Sequence, residues 1–173
     1  AADRCKAPET MSYFGNPDHY MYNGNSYKVK KNIDHFKQEG ACMRSAAAFG
    51  AVAVVVPQDR ACPINATVRN TSCGGADYTP SFSVVNLSRM INTAQKNGWW
   101  AYGASEHAEK AIHQIEFDDK VIMVVGNEGH GLRQNTEKHC DELFYIPTKE
   151  PVKSLNVAVS AGIILCSFAG ISA

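Results

Sequence analysis

The sequence predicts an α/β fold with a mainly parallel sheet flanked by helices, and three observations support this prediction. Short apolar runs alternate with helix-like segments along most of the chain. The two strongest runs, at 51–56 and 121–125, are continuous and mostly β-branched, as in strands buried on both faces of a sheet. The length of 173 residues, with 45% hydrophobic side chains, suits one compact domain with a single core.

The remaining elements follow from local patterns. Weaker strands are predicted at 98–103, 143–146 and 82–85. Helices are predicted at 41–49, 87–96, 106–115 and 154–169, with Ser105 as the N-cap of the third. The last helix is apolar on nearly every side, so we expect the core or a second subunit to cover it.

Residues 1–39 differ in composition from the rest of the chain. They are rich in Asn, Lys, Tyr, Gly and Asp and have little apolar periodicity, so we expect a loop, an arm or a weakly structured polar segment. We therefore expect residues 40–173 to form the folded domain.

The charge balance and the cysteines make several classes of function less favoured. The 17 basic and 17 acidic residues cancel, so the gross positive charge typical of nucleic-acid binders is missing. The six cysteines form no C-x-x-C pair, which disfavours both zinc and a disulfide framework, and we expect no metal. We find neither a leader nor an uninterrupted apolar span, and therefore expect a cytoplasmic protein without membrane contact.

Three loops are the first places to look for a ligand, because open parallel sheets bind ligands beyond the carboxyl ends of their strands. These loops are 103–105, 126–131 and 147–155. The spacing G-x-x-G-x-G in the second matches neither a dinucleotide fingerprint nor a P-loop. Alone, it is equally compatible with a tight turn between a strand and a helix. Ser154 lies in the third loop, and a role as the N-cap of the last helix explains it as well as a role in ligand binding.

Three motifs in order resemble those of the SpoU class of RNA methyltransferases, in the SPOUT superfamily. VIMVVGNEGHGL at 121–132 resembles the second motif, and IP at 146–147 with SLNVAV at 154–159 resembles the third. GACMRSA at 40–46, followed by Phe49 and Gly50, resembles the latter part of the first. The segments NATVRNTSCG at 65–74 and HCDEL at 139–143 look most like the branch that methylates a guanosine ribose of large-subunit rRNA.

The resemblance implies a fold, a cofactor and a site. The fold would carry a deep C-terminal trefoil knot, which would hold S-adenosylmethionine as the methyl donor. Family members are usually homodimers packed through the knot, which would cover the last helix. By matching positions, the catalytic set would be Arg44, Glu128 and Asn156. The residues near the donor would be Gly103, Gly126, Ile146, Ser154 and Leu155.

The chain departs from the family pattern in the first motif. The family usually has an apolar strand and then D-P-x-N-x-G-A, where this chain has HFKQEGA at 35–41. Gln38 therefore stands in the place of the asparagine. This change leaves open a noncatalytic RNA-binding protein with the same fold. Transfer RNA as the substrate, an organellar location, and a flavodoxin-like nucleotide-binding domain are further alternatives.

Overall fold

A computed structural model of the protein describes residues 10–14, 26–58, 64–126, 131–152 and 154–169, and gives the backbone alone for 10–14 and 26–35. The strands are β1 Thr10–Phe14, β2 Ala53–Pro57, β3 Ser81–Val84, β4 Trp100–Ala104, β5 Lys110–Ala111, β6 Val121–Val125 and β7 Glu142–Tyr145. The helices are α1 Ser26–Ala48, α2 Ala66–Ser72, α3 Gly75–Tyr78, α4 Leu87–Gln95, α5 Gln134–Glu137 and α6 Val157–Phe168. Within these ranges, no helical segment combines the length and the hydropathy that a bilayer crossing requires.

The seven strands form one sheet in the order β3-β2-β1-β6-β4-β7-β5. Every pair of neighbouring strands is parallel. The predicted α/β fold with a parallel sheet is therefore confirmed. Because all the strands run the same way, all their carboxyl ends meet at one edge of the sheet.

Strand β6 lies near the middle of the sheet and is buried along its whole length. Its side chains alternate between two faces. Val121, Met123 and Val125 belong to a cluster that includes Ile164 of α6. Ile122 and Val124 belong to a second cluster, on the other face, that includes Ile91 of α4. Helices therefore cover both faces of the sheet, as the continuous apolar run predicts.

Most predicted elements lie within two residues of their expected bounds. The runs at 51–56, 82–85, 98–103, 121–125 and 143–146 correspond to β2, β3, β4, β6 and β7. Helix α4 begins where its pattern begins, because the side chain of Asn86 accepts a hydrogen bond from the Arg89 N–H at 3.0 Å. The third cluster packs Met43 and Ala46 of α1 against Leu165 of α6.

The expectation of a loop or weakly structured segment before residue 40 is wrong for residues 10–14 and 26–39. Strand β1 pairs with both β2 and β6, so it is a central strand. Helix α1 begins at Ser26 and continues through residue 40 without a break. The helical spacing of Val29, Ile33 and Phe36 is the signal that the polar composition concealed.

The helix predicted at 106–115 is also wrong. The chain makes a turn there, adds the short strand β5 beside β7, and closes with a 3-10 turn at Ile112–Gln114. Ile112 and Ile115 are buried in the same cluster as Val121. A spacing of three residues brings two side chains to one side of a 3-10 turn as well as of an α-helix, so the periodicity did not distinguish the two.

Replacing Ile91 with Ala tests how α4 is held on the sheet. Ile91 is fully buried, so the cavity left by Ile91→Ala should lower the free energy of unfolding by about 2–5 kcal/mol. The neighbouring Asn92→Ala is the control, because Asn92 is exposed on the same helix and should change stability by less than about 0.5 kcal/mol. Urea titration of both variants measures the difference, and equal values would contradict the described packing.

Candidate active site

A cavity of about 310 Å³ opens at the carboxyl edge of the sheet. A volume of roughly 300–1,000 Å³ is usual for small-molecule sites. The lining comes from the ends of β4, β6 and β7, the loops that follow them, and the start of α6. Its residues are Ala104, Ser105, Glu106, Val125, Gly126, Gly131, Tyr145, Ile146, Thr148, Ser154, Leu155, Val157 and Ser160.

Gly126 allows the chain to close tightly on itself at the end of β6. A Cβ atom at this position would lie 2.0 Å from the Gly131 carbonyl carbon and 2.3 Å from the Leu132 nitrogen. These are backbone atoms, so a rotamer change cannot relieve the clash. The glycine is therefore required by close approach of the backbone, and the same approach forms one wall of the cavity.

Ile146, Ser154 and Leu155 line the cavity together with Gly126, as the sequence predicts. Gly103 does not belong to the lining. A Cβ atom there would lie 2.7–2.9 Å from the side chains of Leu143, Cys140 and Leu132, so Gly103 packs behind the cavity. Burial raises the pKa of the Cys140 thiol to about 12 and keeps it neutral, in keeping with this apolar contact.

The loop after β4 is held by a short network centred on Ser105. The Ser105 hydroxyl donates a hydrogen bond to Glu137 Oε1 at 2.6 Å and accepts one from the His107 N–H at 3.2 Å. The Ser105 N–H donates to the Phe144 carbonyl at 2.9 Å. Ser105 was expected to cap a helix. Instead it joins the β4 loop to α5 and β7.

Asn156 lies just before α6 and is its N-cap. Its side-chain oxygen accepts a hydrogen bond from the Ala158 N–H at 2.8 Å. The helix predicted at 154–169 would place Asn156 inside it, and this is wrong: Asn156 is exposed, and the helix begins at Val157, so Ser154 is not its cap. The oxygen is used by the cap, whereas the amide NH₂ donates to no residue within the described ranges and faces solvent.

Arg44 lies on the exposed side of α1, between two residues that fix its backbone. Met43 is in the core cluster with Leu165 of α6. A Cβ atom on Gly162 of α6 would be 3.5 Å from the Ser45 hydroxyl oxygen, so the two helices meet there. Gly162 is six residues from Asn156 in the sequence. At a rise of 1.5 Å per residue, Gly162 is about 9 Å from Asn156 along the axis of α6. The contact between α6 and the neighbour of Arg44 is therefore about 9 Å along this axis from Asn156.

Gly40 of the first motif and Gly75 of α3 also have a packing role. A Cβ atom at Gly75 would lie 3.0 Å from the Arg44 Cα atom, and one at Gly40 would lie 2.8 Å from the Val68 carbonyl oxygen. Small residues therefore let α2 and α3 pack closely against α1. This packing places the Arg44 backbone, while its guanidinium forms no ion pair with a residue in the described part of the chain.

Glu128 lies outside the described residues.

Several residues of the lining were not among the predicted site residues. Glu106 directly follows the loop 103–105 and could have been included with it. Ser160 is four residues after Asn156, and its N–H donates to the Asn156 carbonyl at 2.9 Å. Tyr145 and Thr148 flank the predicted Ile146 and carry no sequence signal of their own.

A family model supplies the deciding observation. The model described as SpoU rRNA Methylase family matches residues 29–166. The chain belongs to this family. The match begins within the segment 1–39, earlier than the motif resemblance, which began near residue 40.

The strand order also differs from the 2-1-3-4-5 order of flavodoxin-like folds, and the family assignment replaces that alternative.

Two similar relatives carry the name 23S rRNA (guanosine-2'-O-)-methyltransferase RlmB. The protein from Xanthomonas campestris is 47% identical over 126 residues, which are 73% of this chain and 51% of the relative. The protein from Xylella fastidiosa is 48% identical over the same shares of the two chains. This chain therefore spans about half the length of these relatives.

A solved structure supports the fold. The SpoU methyltransferase AviRb from Streptomyces viridochromogenes, in complex with the cofactor AdoMet, has a TM-score of 0.77 to this protein at 22% identity. The match covers 98% of this chain and 61% of the other. At this level of identity the likeness concerns the fold alone.

Replacing Gly126 with Ala tests the close approach at the cavity wall. Because the new methyl would meet backbone atoms, Gly126→Ala should lower the free energy of unfolding by about 3 kcal/mol. Gly162→Ala is the matched control. Its Cβ would make an ordinary contact inside a helix, so stability should stay equal or rise by about 0.5–1 kcal/mol. A Gly126→Ala variant as stable as the wild type in urea would rule out the tight turn.

Proposed function

We propose that this chain is an S-adenosylmethionine-dependent methyltransferase acting on a ribose 2'-hydroxyl of RNA. One observation carries the proposal: the cavity lies where the second and third family motifs meet, with Gly126, Ile146, Ser154 and Leu155 in its lining. Membership of the family and the names of the RlmB relatives support the same reaction. The substrate we favour is a guanosine of large-subunit rRNA, with transfer RNA as the alternative.

The cavity suits the methyl donor in size and in the chemistry of its walls. Its volume of about 310 Å³ is at the lower end of the range for small-molecule sites. Apolar side chains such as Val125, Ile146 and Leu155 can contact an adenine ring. Hydroxyls of Ser154 and Ser160, with backbone groups at the strand ends, can hydrogen-bond its polar parts. Gly103 supports this site from behind, through its contacts with Leu132 and Leu143.

When bound, the donor supplies an electrophilic methyl group on a sulfonium. The residues of this chain then have to hold the ribose hydroxyl in line with that methyl, which accounts for much of the rate in reactions of this kind. The hydroxyl gives up its proton to solvent as its oxygen takes the methyl group from the sulfur. We assign Arg44 to the phosphate next to the ribose, or to the alkoxide as negative charge develops on it. We do not assign Arg44 the role of the base, which would require a neutral guanidinium.

Asn156 and Glu128 complete the proposed catalytic set. The Asn156 oxygen caps α6, which holds the side chain in place, and its amide NH₂ is left to donate to the ribose or the phosphate. Glu128 would orient Arg44 or Asn156 through a charge-assisted hydrogen bond. No metal is needed, because positioning and these charged groups supply the stabilisation.

The trefoil knot, the homodimer and the cytoplasmic location are parts of this proposal. The knot would lie in the C-terminal part of the chain, where the loops after β6 and β7 and the start of α6 surround the cavity. The homodimer would pack these regions together. In support of it, α6 has buried Ile164 and Leu165 on one side but exposes half of Val159 on another.

Binding of S-adenosylhomocysteine, the demethylated product of the donor, tests the cavity. The wild type should bind it with a Kd on the order of 1–10 μM by calorimetry. Leu155→Arg should abolish this binding, because the longer, charged side chain enters the lining. Val152→Arg is the control, since Val152 is exposed in the same loop and outside the lining. A wild type that binds no ligand at millimolar concentration would overturn the proposal.

Transfer of labelled methyl to an rRNA transcript tests Arg44. Arg44→Ala should lower the rate by about 100-fold, because one group that stabilises the developing charge is lost. Its affinity for S-adenosylhomocysteine should stay unchanged. Lys120→Ala, at the opposite edge of the sheet before β6, should transfer methyl like the wild type. Full activity in Arg44→Ala would remove Arg44 from the site, and a wild type that binds product without transferring methyl would favour the noncatalytic alternative.

A further inference from the structure

The lining of the cavity is almost entirely neutral. Among its described residues, Glu106 is the only one with a side chain charged at neutral pH. The Nε2 atom of His107 lies 3.9 Å from Glu106 Oε1, and both side chains are largely exposed. A contact of that length between exposed groups contributes little, so it does not neutralise the carboxylate. The described wall of the cavity therefore carries one negative charge.

The backbone around Glu106 is fixed on both sides. Ser105 is buried, and its hydroxyl is bonded to Glu137 Oε1 at 2.6 Å. The His107 N–H donates to the same hydroxyl at 3.2 Å, and the Ala108 N–H donates to the Ser105 carbonyl at 3.3 Å. Glu106 is thus the middle residue of a hydrogen-bonded turn. The turn fixes the backbone from which the exposed Glu106 side chain extends, and Glu106 belongs to the lining of the cavity.

The methyl donor and its product differ in charge at one atom. The donor has a positive sulfonium, whereas the product has a neutral thioether at the same place; the amino-acid and nucleoside parts are identical. A carboxylate at a binding site attracts a positive ligand and leaves the affinity for a neutral one almost unchanged. A residue that bound the ribose hydroxyls, by contrast, would affect both ligands equally.

We infer that Glu106 is a specificity-determining residue that makes the cavity prefer the positively charged donor to the neutral product. The inference rests on the proposed function, since it requires that this cavity holds the donor. The consequence for turnover is weaker inhibition by the product. The carboxylate attracts the donor but not the product, so the donor competes better for the cavity. Ser105 and Glu137 are positioning residues in this arrangement, because they fix the turn that carries Glu106.

The expected preference is modest because Glu106 is exposed. The attraction between two unit charges near a protein surface, partly screened by water, should make the affinity for the donor about fivefold higher than it would be without Glu106. The preference should also weaken as ionic strength rises, whereas binding of the neutral product should not.

Calorimetric titration of the full chain with S-adenosylmethionine and, separately, with S-adenosylhomocysteine tests the inference. The variants are Glu106→Gln and the control Glu109→Gln, which removes an exposed carboxylate three residues away that lies outside the lining. Each titration is made at low and at high salt. In Glu106→Gln the affinity for the donor should fall about fivefold, with an unchanged affinity for the product. Glu109→Gln should match the wild type for both ligands.

The other outcomes are distinct. Equal losses for donor and product in Glu106→Gln would overturn the inference in favour of a contact to their shared part. No loss for either ligand would overturn it as well. In both cases binding by the wild type would leave the proposed function intact. If the wild type bound neither ligand, the proposed function would fail, and this inference with it.

Discussion

The burial of β6 on both faces is the constraint on which the rest of the structure depends. Five consecutive apolar residues can all leave water only if helices cover both sides of the sheet. Helix α6 meets this requirement on the face of Met123, and α4 meets it on the face of Ile122. With both faces covered, the edge of the sheet where the strands end is left for the loops and for a ligand.

The cavity follows from the way the chain leaves these strands. After β6 the backbone closes so tightly that Gly126 has no room for a side chain. After β4, Ser105 joins its loop to α5 and β7. Gly103 supports the same region from behind through its contacts with Leu132, Cys140 and Leu143. The walls of the cavity therefore combine small residues such as Gly126 and Ser154 with apolar side chains such as Ile146 and Leu155.

Arg44, a member of the proposed catalytic set, is held by a separate part of the fold. Arg44 is carried by α1, whose backbone is fixed by close packing with α3 at Gly75 and with α6 at Ser45. Helix α6 also begins at the cavity, where Asn156 caps it. This helix is therefore the physical connection between the element that carries the arginine and the loops proposed to hold the donor. A displacement of α6 would change both parts of the site together.

The sequence by itself determined the α/β class, the parallel sheet, five of the strands, α4 and the family, because these depend on apolar runs, helical spacing and short motifs that are local in the chain. It also predicted four of the residues that line the cavity.

The tertiary structure decided the rest. Strand β1, which lies in a polar segment, becomes central through pairing with β2 and β6. Asn156 is a cap because α6 begins one turn later than its apolar pattern suggests. Glu106 joins the lining because the hydroxyl of Ser105 bonds to Glu137, 32 residues away. Contacts between distant parts of the chain leave no periodic pattern in the sequence, so only the folded chain reveals them.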